Sequence, residues 1–371
     1  MAVPFRDLAL DYLRHRDSID AGIARVLQSG RFVLGDTVIE FEKRFAEFTR
    51  TQHAVAVASG TDALHLALRA AGVRQGDEVV TVAHTCVPTV TAITMAGADP
   101  VFVDVDPVSY TIDPARIEER ITARTRAIVP VHLYGQCADM HALNEIAARY
   151  DLVIVEDCAQ AHGALFDGRH AGTMSAAGAF SFYPTKNLGC YGDGGAVICQ
   201  GQSTYEQLNL LRNYGQAAQY QHEQKGYNSR LDELQAAVLL AKLPTVGESN
   251  ARRRNIAAYY RDRLSGLSWI VPPEELPKRH HVYHQFVVRV SERASFRAYL
   301  EGKGVGTAIH YPTPVHMQPA YSEYRDHERW LPVAMSLAQE ILSLPLYPEL
   351  TDGQVERVVE AVVSAPINSA A

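Results

Sequence analysis

Apolar and polar positions alternate along the first two thirds of the chain in a way that separates strands from helices. Short apolar runs with the length of buried strands occur at 54–57, 78–82, 100–105, 127–131 and 152–156. Apolar residues recur at helical spacing around these runs, and the helices that this predicts cover 17–30, 36–49, 59–71, 88–96, 114–121 and 138–150. Strands that alternate with helices predict an α/β fold with a mainly parallel sheet, covered on both faces.

The pattern changes near Leu243 and Pro244. Beyond this point we expect a basic helix, a proline-rich stretch, a strand and a further helix, at 249–264, 271–277, 285–290 and 294–303. The sequence therefore predicts a large domain over residues 1–245 and a smaller α+β domain over residues 246–371.

Composition narrows the classes of function. The chain has 371 residues and a formal net charge of -7, so neither nucleic acid nor an anionic membrane is an expected partner. No apolar run approaches the roughly 20 residues of a membrane helix. The first 20 residues carry frequent charges and no apolar signal core, and the five cysteines include no C-x-x-C pair. These features predict a cytoplasmic enzyme with reduced thiols.

One lysine stands in surroundings that are unusual for a surface charge. Lys186 lies in the motif SFYPTKNLG at 181–189, between the apolar run 176–182 and the glycine-rich stretch GDGGAV at 192–197. A partly desolvated amine on a flexible stem is what a Schiff base with an aldehyde cofactor requires. We therefore expect pyridoxal 5′-phosphate (PLP) on Lys186. Such a site also needs a phosphate cradle and a carboxylate for the pyridine nitrogen.

Two acidic residues follow the apolar strand at 152–155. Glu156 and Asp157 are adjacent, so strand alternation sends their side chains to opposite faces. We expect Asp157 to meet the pyridine nitrogen and Gln160, one turn further on, to donate to the ring hydroxyl. The alternative interpretation is that these two acids have no ligand and face solvent at the end of the strand.

A phosphate cradle is expected after the strand at 54–57. Gly60 permits close approach of the backbone, and the free N–H groups at a helix start suit a phosphate. The alternative is an ordinary helix cap, in which the side chain of Ser59 or Thr61 bonds to a backbone N–H of the first turn and binds no ligand. Ser181, five residues before Lys186, is a further candidate phosphate ligand.

Together these pieces resemble the DegT/DnrJ/EryC1/StrS family of PLP-dependent sugar aminotransferases. The resemblance covers nearly the whole chain. Its motifs are FVLG at 32–35, SGTDAL at 59–64, GDEVV at 76–80, PVFVDVD at 100–106, HLYGQ at 132–136, EDCAQAHGA at 156–164, SFYPTKNLG at 181–189, GDGGAV at 192–197, YNSRLDELQAA at 227–237 and YPTPVH at 311–316.

The resemblance implies an aspartate-aminotransferase-like (type I) fold, with a large, mainly parallel sheet of about seven strands. It implies that Lys186 holds the cofactor and that Asp157 pairs with the pyridinium. Gln160 would contact the ring oxygen. The phosphate would be bound by Gly60, Thr61 and Ser181, and by Asn228 of a neighbouring subunit, which makes the protein a homodimer with shared active sites.

The residue that is expected to cover the face of the cofactor ring departs from the family pattern. Relatives usually carry an aromatic residue at the position of Cys86, where it stacks on the cofactor ring. Either the smaller thiol of Cys86 covers the ring here, or another side chain such as His84 or His132 does so.

The family resemblance also implies the reaction. The form YPTKNLG resembles the branch that aminates C-3 of nucleotide-linked (dTDP or similar) 3-keto-6-deoxyhexoses, with L-glutamate as amino donor and Tyr183 helping to choose the keto position. Alternatives are amination at C-4, or a dehydratase or regulatory PLP protein of the same fold. A cysteine desulfurase of this fold needs a nucleophilic cysteine on a mobile loop, and no cysteine of this chain lies in an evident flexible loop. A nicotinamide enzyme is also disfavoured, because the glycine spacing after Lys186 does not match G-x-G-x-x-G.

Histidines of the predicted small domain raise two further hypotheses. His310 and Tyr311 follow an apolar segment and are candidate sugar-binding residues. His280, His281 and His284 have a spacing that suggests a metal, but no acidic partner stands nearby, and a loop entering the strand at 285–290 is favoured. We therefore expect no metal site.

Overall fold

A computed structural model describes residues 2–367. Its α-helices are α1 (Leu8–Ser29), α2 (Asp36–Thr49), α3 (Gly60–Ala70), α4 (Val87–Met95), α5 (Met140–Tyr150), α6 (Gln202–Arg212), α7 (Glu233–Lys242), α8 (Val246–Leu264), α9 (Arg293–Gly302), α10 (Pro332–Glu340) and α11 (Asp352–Val363). Its strands are β1 (His53–Val57), β2 (Glu78–Val82), β3 (Asp99–Val103), β4 (Thr125–Ile128), β5 (Val153–Asp157), β6 (Leu165–Phe166), β7 (Arg169–His170), β8 (Ala177–Ser181), β9 (Gly195–Cys199), β10 (Gln216–Ala218), β11 (Gln221–His222), β12 (Ile270–Val271), β13 (Arg279–His280), β14 (Phe286–Val290) and β15 (Ile341–Leu344).

A seven-stranded sheet forms the centre of the fold. Its strand order is β1-β9-β8-β5-β4-β2-β3. The strands from β8 to β3 pair in parallel, whereas β9 runs antiparallel to both of its neighbours. The mainly parallel α/β sheet predicted from the sequence is therefore confirmed.

Helices cover both faces of this sheet because its strands are apolar on both sides. In β1, Val55 and Val57 pack into a cluster with α3, α4 and α6. The alternate residues Ala54 and Ala56 pack into the opposite cluster, which includes α2, α5 and α7. The carboxyl ends of the parallel strands are left to carry the polar loops.

Two predicted helices differ most from the structure, whereas the bounds of the others agree to within a few residues. The first begins at Leu8 rather than residue 17, because the carboxylate of Asp7 accepts a hydrogen bond from the backbone N–H of Ala9 and caps it. Residues 114–121 were predicted to form a helix but form two short 3₁₀ turns, Pro114–Arg116 and Glu118–Arg120. The carboxylate of Asp113 accepts a hydrogen bond from the backbone N–H of Ala115 and caps the first of these turns, and 3₁₀ turns are common in short connecting segments.

A second, antiparallel sheet lies in the C-terminal third, with the order β12-β14-β15. Residues of α8, α9 and α11 pack with it in one apolar cluster. Val3, from the N-terminal segment, is buried in the same cluster and forms a bridge with Val305. The division between residues 245 and 246 stays a prediction; the chain passes there from α7 through a 3₁₀ turn, Leu243–Thr245, into α8. Within residues 2–367, none of the helices has both the length and the apolar content that crossing a membrane demands.

Candidate active site

A cavity of about 360 Å³ opens at the carboxyl ends of β1, β2, β5 and β8. Its volume falls in the range of small-molecule sites, and its position follows the rule for open α/β sheets. The predicted site residues that line it are Gly60, Thr61, Cys86, Asp157, Gln160, Ser181, Tyr183, Lys186, His310 and Tyr311. Asn228 does not line it.

Lys186 lies in a tight turn after β8. Its backbone N–H donates to the carbonyl of Tyr183 at 2.8 Å, which closes the turn and directs the side chain to the cavity. Burial lowers the pKa of the Lys186 amine, whereas the nearby Cys86 thiol and Asp157 carboxylate act in the opposite direction. A lowered pKa favours the neutral amine, which is the nucleophilic form.

Asp157 ends β5 and faces the cavity with its carboxylate held on both oxygens. Oδ2 accepts a hydrogen bond from the hydroxyl of Thr89 at 2.8 Å, and Oδ1 accepts one from the backbone N–H of Ala159 at 3.0 Å. Thr89 is positioned in turn by the hydroxyl of Thr85, at 2.9 Å. The carboxylate therefore has a fixed orientation towards the space that a cofactor ring would fill.

Glu156 points to the other side of β5, as strand alternation predicts. Its carboxylate is fully buried and accepts from the Nε2–H of His132 at 2.8 Å and from the backbone N–H of Gly172 at 2.7 Å. The N–H of Met174 and the hydroxyl of Ser175 bind its second oxygen. His132, Glu156 and Cys158 lie close enough to share an ion. However, four donors already bond to the carboxylate of Glu156, so this residue has a structural role in joining the segments that supply them.

The start of α3 is the segment where the sequence predicts a phosphate cradle. The hydroxyl of Ser59 accepts from the backbone N–H of Asp62 at 3.1 Å, so Ser59 is the helix cap that the alternative interpretation describes. The cap leaves the amides of Gly60 and Thr61 at the helix start beside Ser181. A Cβ on Gly60 would lie 2.4 Å from Cβ of Ser181, so only glycine fits there.

Gln160 is fixed at both ends of its amide. Its Oε1 accepts from the backbone N–H of Tyr134 at 2.7 Å, and its Nε2 donates to the hydroxyl of Tyr311 at 3.1 Å. Burial, followed by the neighbouring Cys86 thiol, raises the pKa of the Tyr311 hydroxyl well above its usual value. Gln160 thus connects the large sheet to the segment that carries the sugar-site candidates.

Neither alternative to Cys86 as ring cover is available. His84 is buried, and its Nε2 bonds to the hydroxyl of Tyr134 at 3.1 Å. His132 is held by Glu156, and neither imidazole lines the cavity. Among the residues considered for this role, only Cys86 is at the cavity wall.

The two sugar-site candidates from the C-terminal part reach the cavity beside Lys186. Nδ1 of His310 bonds to the hydroxyl of Ser343 at 2.8 Å, and burial lowers the pKa of this imidazole to about 4. Tyr183 lines the same cavity with 53% of its surface exposed, so it stands at the mouth. Asn228 is exposed, in a bridge with Asn213. In a single chain it stays outside the site.

Three residues of the site carry no role in the sequence-based prediction. Thr89 holds Asp157, Asn187 holds the turn after Lys186, and His284 lines the cavity. The spacing of Thr85 and Thr89, one helical turn apart after a strand end, was an available signal for the first. The other two depend on contacts between distant segments.

These groups fit PLP. The amides of Gly60 and Thr61 and the hydroxyl of Ser181 suit its phosphate, and the Asp157 carboxylate suits a protonated ring nitrogen. Lys186 supplies the amine from the same wall. A side chain at Gly60 would collide with Ser181, so glycine keeps the backbone at the start of α3 open to a phosphate.

The family model that matches the chain covers residues 14–363 and describes the DegT/DnrJ/EryC1/StrS aminotransferase family. This chain belongs to that family. It is therefore a PLP-dependent sugar aminotransferase, and the family predicted from the sequence motifs is confirmed.

Two similar proteins of this family have names that describe sugar amination, and a third has a regulatory name. The dTDP-3-amino-3,4,6-trideoxy-alpha-D-glucose transaminase of Streptomyces venezuelae is 49% identical over 97% of this chain and 95% of its own length. The dTDP-3-amino-3,6-dideoxy-alpha-D-galactopyranose transaminase of Aneurinibacillus thermoaerophilus is 46% identical over 97% of this chain and 98% of its own. A protein of Geobacillus stearothermophilus named pleiotropic regulatory protein is 44% identical over 98% of both chains.

Solved structures of the family agree with the fold and the cofactor. The crystal structure of S. venezuelae DesV in complex with a ketimine intermediate matches with a TM-score of 0.96 and 49% identity, over 97% of each chain. Bacillus subtilis NtdA with bound cofactor pyridoxamine phosphate (PMP) matches with a TM-score of 0.90 and 32% identity, over 98% of this chain and 84% of its own. The predicted type I fold and the PLP cofactor are confirmed.

Proposed function

We propose that this aminotransferase transfers an amino group from L-glutamate to C-3 of a nucleotide-linked 3-keto-6-deoxyhexose, in the biosynthesis of deoxyamino sugars. The observation that carries the proposal is the meeting of Lys186 and Asp157 on one cavity with the phosphate cradle at Gly60, Thr61 and Ser181. A family member that had lost catalysis would have little use for all of these groups in one cavity.

Each residue of the cavity has its own role in the proposed reaction. Bound PLP supplies an electron sink for the carbanion that forms when the donor's α-proton leaves. The Lys186 amine takes that proton and returns it one position away, and it is suited to this because burial lowers its pKa. Asp157 holds the proton on the ring nitrogen, with Thr89 and Ala159 fixing its orientation. Gly60, Thr61 and Ser181 hold the phosphate, and Gln160 orients the ring oxygen.

The position of amination is supported by the relatives and by the turn that holds Lys186. The names of two similar proteins specify a 3-amino sugar that is linked to dTDP. Tyr183 stands at the mouth of the cavity, and His310 and Tyr311 line the wall beside Lys186, where a sugar ring would approach. These three residues are the proposed contacts to the keto sugar.

The rival activities explain fewer of the site's residues. A dehydratase of this fold lacks the lysine, and Lys186 is present. A regulatory role, which the name of the Geobacillus relative suggests for that protein, does not require the orientation of Asp157 by Thr89. Amination at C-4 would place the same proton transfers on a different carbon, and the substrate test below separates the two.

We also propose a cytoplasmic homodimer in which Asn228 contacts the phosphate bound to the partner subunit. Asn228 is exposed and outside its own cavity. The exposed Tyr227 precedes it, and the exposed Tyr214 donates its backbone N–H to the carbonyl of Tyr227 at 2.8 Å. The five cysteines are unpaired, as in a reducing compartment. Light scattering of the purified enzyme tests the dimer, and Asn228→Ala should weaken PLP binding without changing the mass of the particle.

The function is tested by supplying the purified enzyme with PLP, L-glutamate and either a dTDP-linked 3-keto or a 4-keto 6-deoxyhexose. We expect the 3-keto sugar to be consumed, with the new C–N bond at C-3 by NMR. Exclusive turnover of the 4-keto sugar would overturn the assignment of the carbon.

Lys186→Ala should reduce turnover by at least about a hundredfold, as removal of a general acid–base group does, while PMP still binds. Lys303→Ala, at an exposed position of the C-terminal part, is the matched control and should be fully active. Unchanged turnover in Lys186→Ala would remove this residue from the proposed mechanism.

A further inference from the structure

The histidine cluster at 280–284 separates into three different environments. His280 lies on β13 and is half-buried, and His281 stacks on the ring of Tyr283 with centroids 3.9 Å apart. His284 alone lines the catalytic cavity, where Lys186 also lies. The cluster therefore presents one imidazole to the site, and neither the family resemblance nor the cofactor chemistry gives it a role.

Asn187 holds this imidazole in place. Its Oδ1 lies 3.0 Å from Nδ1 of His284, and its Nδ2 donates to the carbonyl of Val282 at 3.2 Å and to Oδ1 of Asn250 at 2.9 Å. Because Asn187 is next to Lys186 in the chain, the same turn that carries the amine also carries the anchor of His284. The two side chains are thus positioned by adjacent residues.

The hydrogen bonds determine which ring nitrogen carries the proton. Nδ2 of Asn250 donates to the carbonyl of His162 at 2.8 Å, so Oδ1 of Asn250 faces Asn187. Nδ2 of Asn187 is then used by two oxygen acceptors, and its Oδ1 is the atom that faces His284. Nδ1 of His284 must therefore be protonated. In the neutral ring Nε2 then has a free lone pair.

The ring stays neutral at physiological pH. His284 is buried, and this burial lowers its pKa well below the usual value; the charge of Lys186 acts in the same direction. The side-chain nitrogen of Gln285 lies 3.5 Å from Nε2, which is beyond the usual range of a hydrogen bond. Nε2 is consequently the acceptor atom of a residue that lines the cavity.

We propose that Nε2 of His284 accepts a hydrogen bond from the free amine of Lys186 and orients it for proton transfer, with Asn187 fixing the ring for this role. The inference rests on the proposed function, because it needs Lys186 to be the residue that moves the proton. A neutral imidazole that resists protonation orients one N–H of Lys186 without taking its proton. This holds for the amine and for the ammonium that forms when the amine takes the donor's α-proton, so the lysine keeps its protons for delivery.

The test compares three variants. His284→Asn keeps an amide nitrogen near the Nδ1 position for Asn187 but has no acceptor at the Nε2 position. His284→Gln restores a polar group there. His280→Asn makes the same change at the half-buried member of the cluster and is the matched control.

The first readout is the pKa of the Lys186 amine in the apoenzyme, followed by reductive methylation across pH with peptide mass spectrometry. An acceptor stabilises the ammonium, so its loss in His284→Asn should lower this pKa by about one pH unit. The other groups whose charge acts on Lys186 or on which Lys186 acts are Asp157, Cys86, Arg6, His162 and His310, and none is altered.

The second readout is the half-reaction with L-glutamate. We expect His284→Asn to lower its rate constant about tenfold with little change in the glutamate concentration at half saturation, and His284→Gln to recover most of the rate. His280→Asn should match the wild type in both readouts. An unchanged Lys186 pKa in His284→Asn, or an effect confined to the KM of the keto sugar, would overturn the inference.

Failure of the inference is distinguishable from failure of the proposed function. Borohydride reduction of the wild-type PLP complex should label the Lys186 peptide. A label on another lysine would overturn the proposed function. A label on Lys186 together with an unchanged methylation profile in His284→Asn would overturn only the role of His284.

Discussion

The hydroxyl of Thr89 donates a hydrogen bond to Oδ2 of Asp157 at 2.8 Å, although the residues are 68 positions apart. Thr89 is in α4, which follows β2, and Asp157 ends β5; only β4 separates these two strands in the sheet, so their carboxyl ends bring the pair together at the cavity. The bond fixes the carboxylate that we propose to hold the proton on the pyridine nitrogen. It should therefore matter more for catalysis than for folding.

Thr89→Val keeps the shape of the side chain but removes the donor. We expect kcat to fall about tenfold, since a lost hydrogen bond to a charged group costs about 1.5 kcal/mol. Steady-state kinetics and the visible spectrum of the PLP complex measure this. Thr89→Ser keeps the hydroxyl and should remain close to the wild type. Equal losses in the serine and valine variants would indicate a packing effect instead.

Gly60→Ala tests the phosphate cradle. The new Cβ would lie 2.4 Å from Cβ of Ser181, so the start of α3 has to move away from the phosphate position. We expect PLP affinity to fall by about fivefold to a hundredfold, since overpacking costs about 1–3 kcal/mol. Fluorescence titration of the apoenzyme with PLP measures the change.

Gly247→Ala is the matched control, because Gly247 also lies in the first turn of a helix and a Cβ there meets no atom within 4 Å. This variant should bind PLP normally and be slightly more stable. Normal PLP affinity in Gly60→Ala would show that the phosphate is bound elsewhere.

Glu233→Ala tests a cap that joins two distant helices. The buried carboxylate of Glu233, in α7, accepts from the backbone N–H groups of Gly35, Thr37 and Val38 at the start of α2, at 2.7, 2.9 and 3.1 Å. Its removal leaves two buried donors and one half-buried donor without this acceptor. The free energy of unfolding should fall by about 2–4 kcal/mol in urea titrations. Glu301→Ala, on the exposed side of α9, should change it by less than about 0.5 kcal/mol.

His162 should make the stability depend on pH. The ring is fully buried against Phe180 and Phe182, and burial, followed by the nearby Lys186 charge, lowers its pKa to about 3. The unfolded chain binds a proton there below about pH 6.5, whereas the folded chain does not. Its contribution is therefore complete above about pH 6.5 and is lost as the pH falls towards 3.

His162→Phe removes this titration. Between about pH 6 and 4, the free energy of unfolding of the variant apoenzyme should fall less steeply than that of the wild type, by up to about 1.4 kcal/mol per pH unit. Urea titrations at several pH values give the slopes. His222→Phe, at an exposed histidine, should keep the wild-type slope. Parallel slopes for His162→Phe and the wild type would contradict the low pKa.

Local sequence patterns were sufficient to predict most strands of the sheet and part of the candidate active site. β2 has the predicted bounds, and α2 begins and ends where its amphipathic period does, because these elements bury one continuous apolar pattern. Alternation along β5 was enough to separate Asp157, on the cavity, from Glu156, on the far side. The turn at Lys186 and the start of α3 were also evident, because their chemistry is contained in a few adjacent residues.

The sequence by itself determined the family and the cofactor, and it predicted the residues that would hold the cofactor, since each signal lies within one short motif. Only the tertiary structure decided that Thr89 orients Asp157, that Asn187 anchors His284, and that His84 and His132 are not at the cavity. These relationships join segments that are distant in the chain, and they depend on strand order and side-chain direction. A one-dimensional pattern does not encode those distances, whereas close packing in the folded chain does.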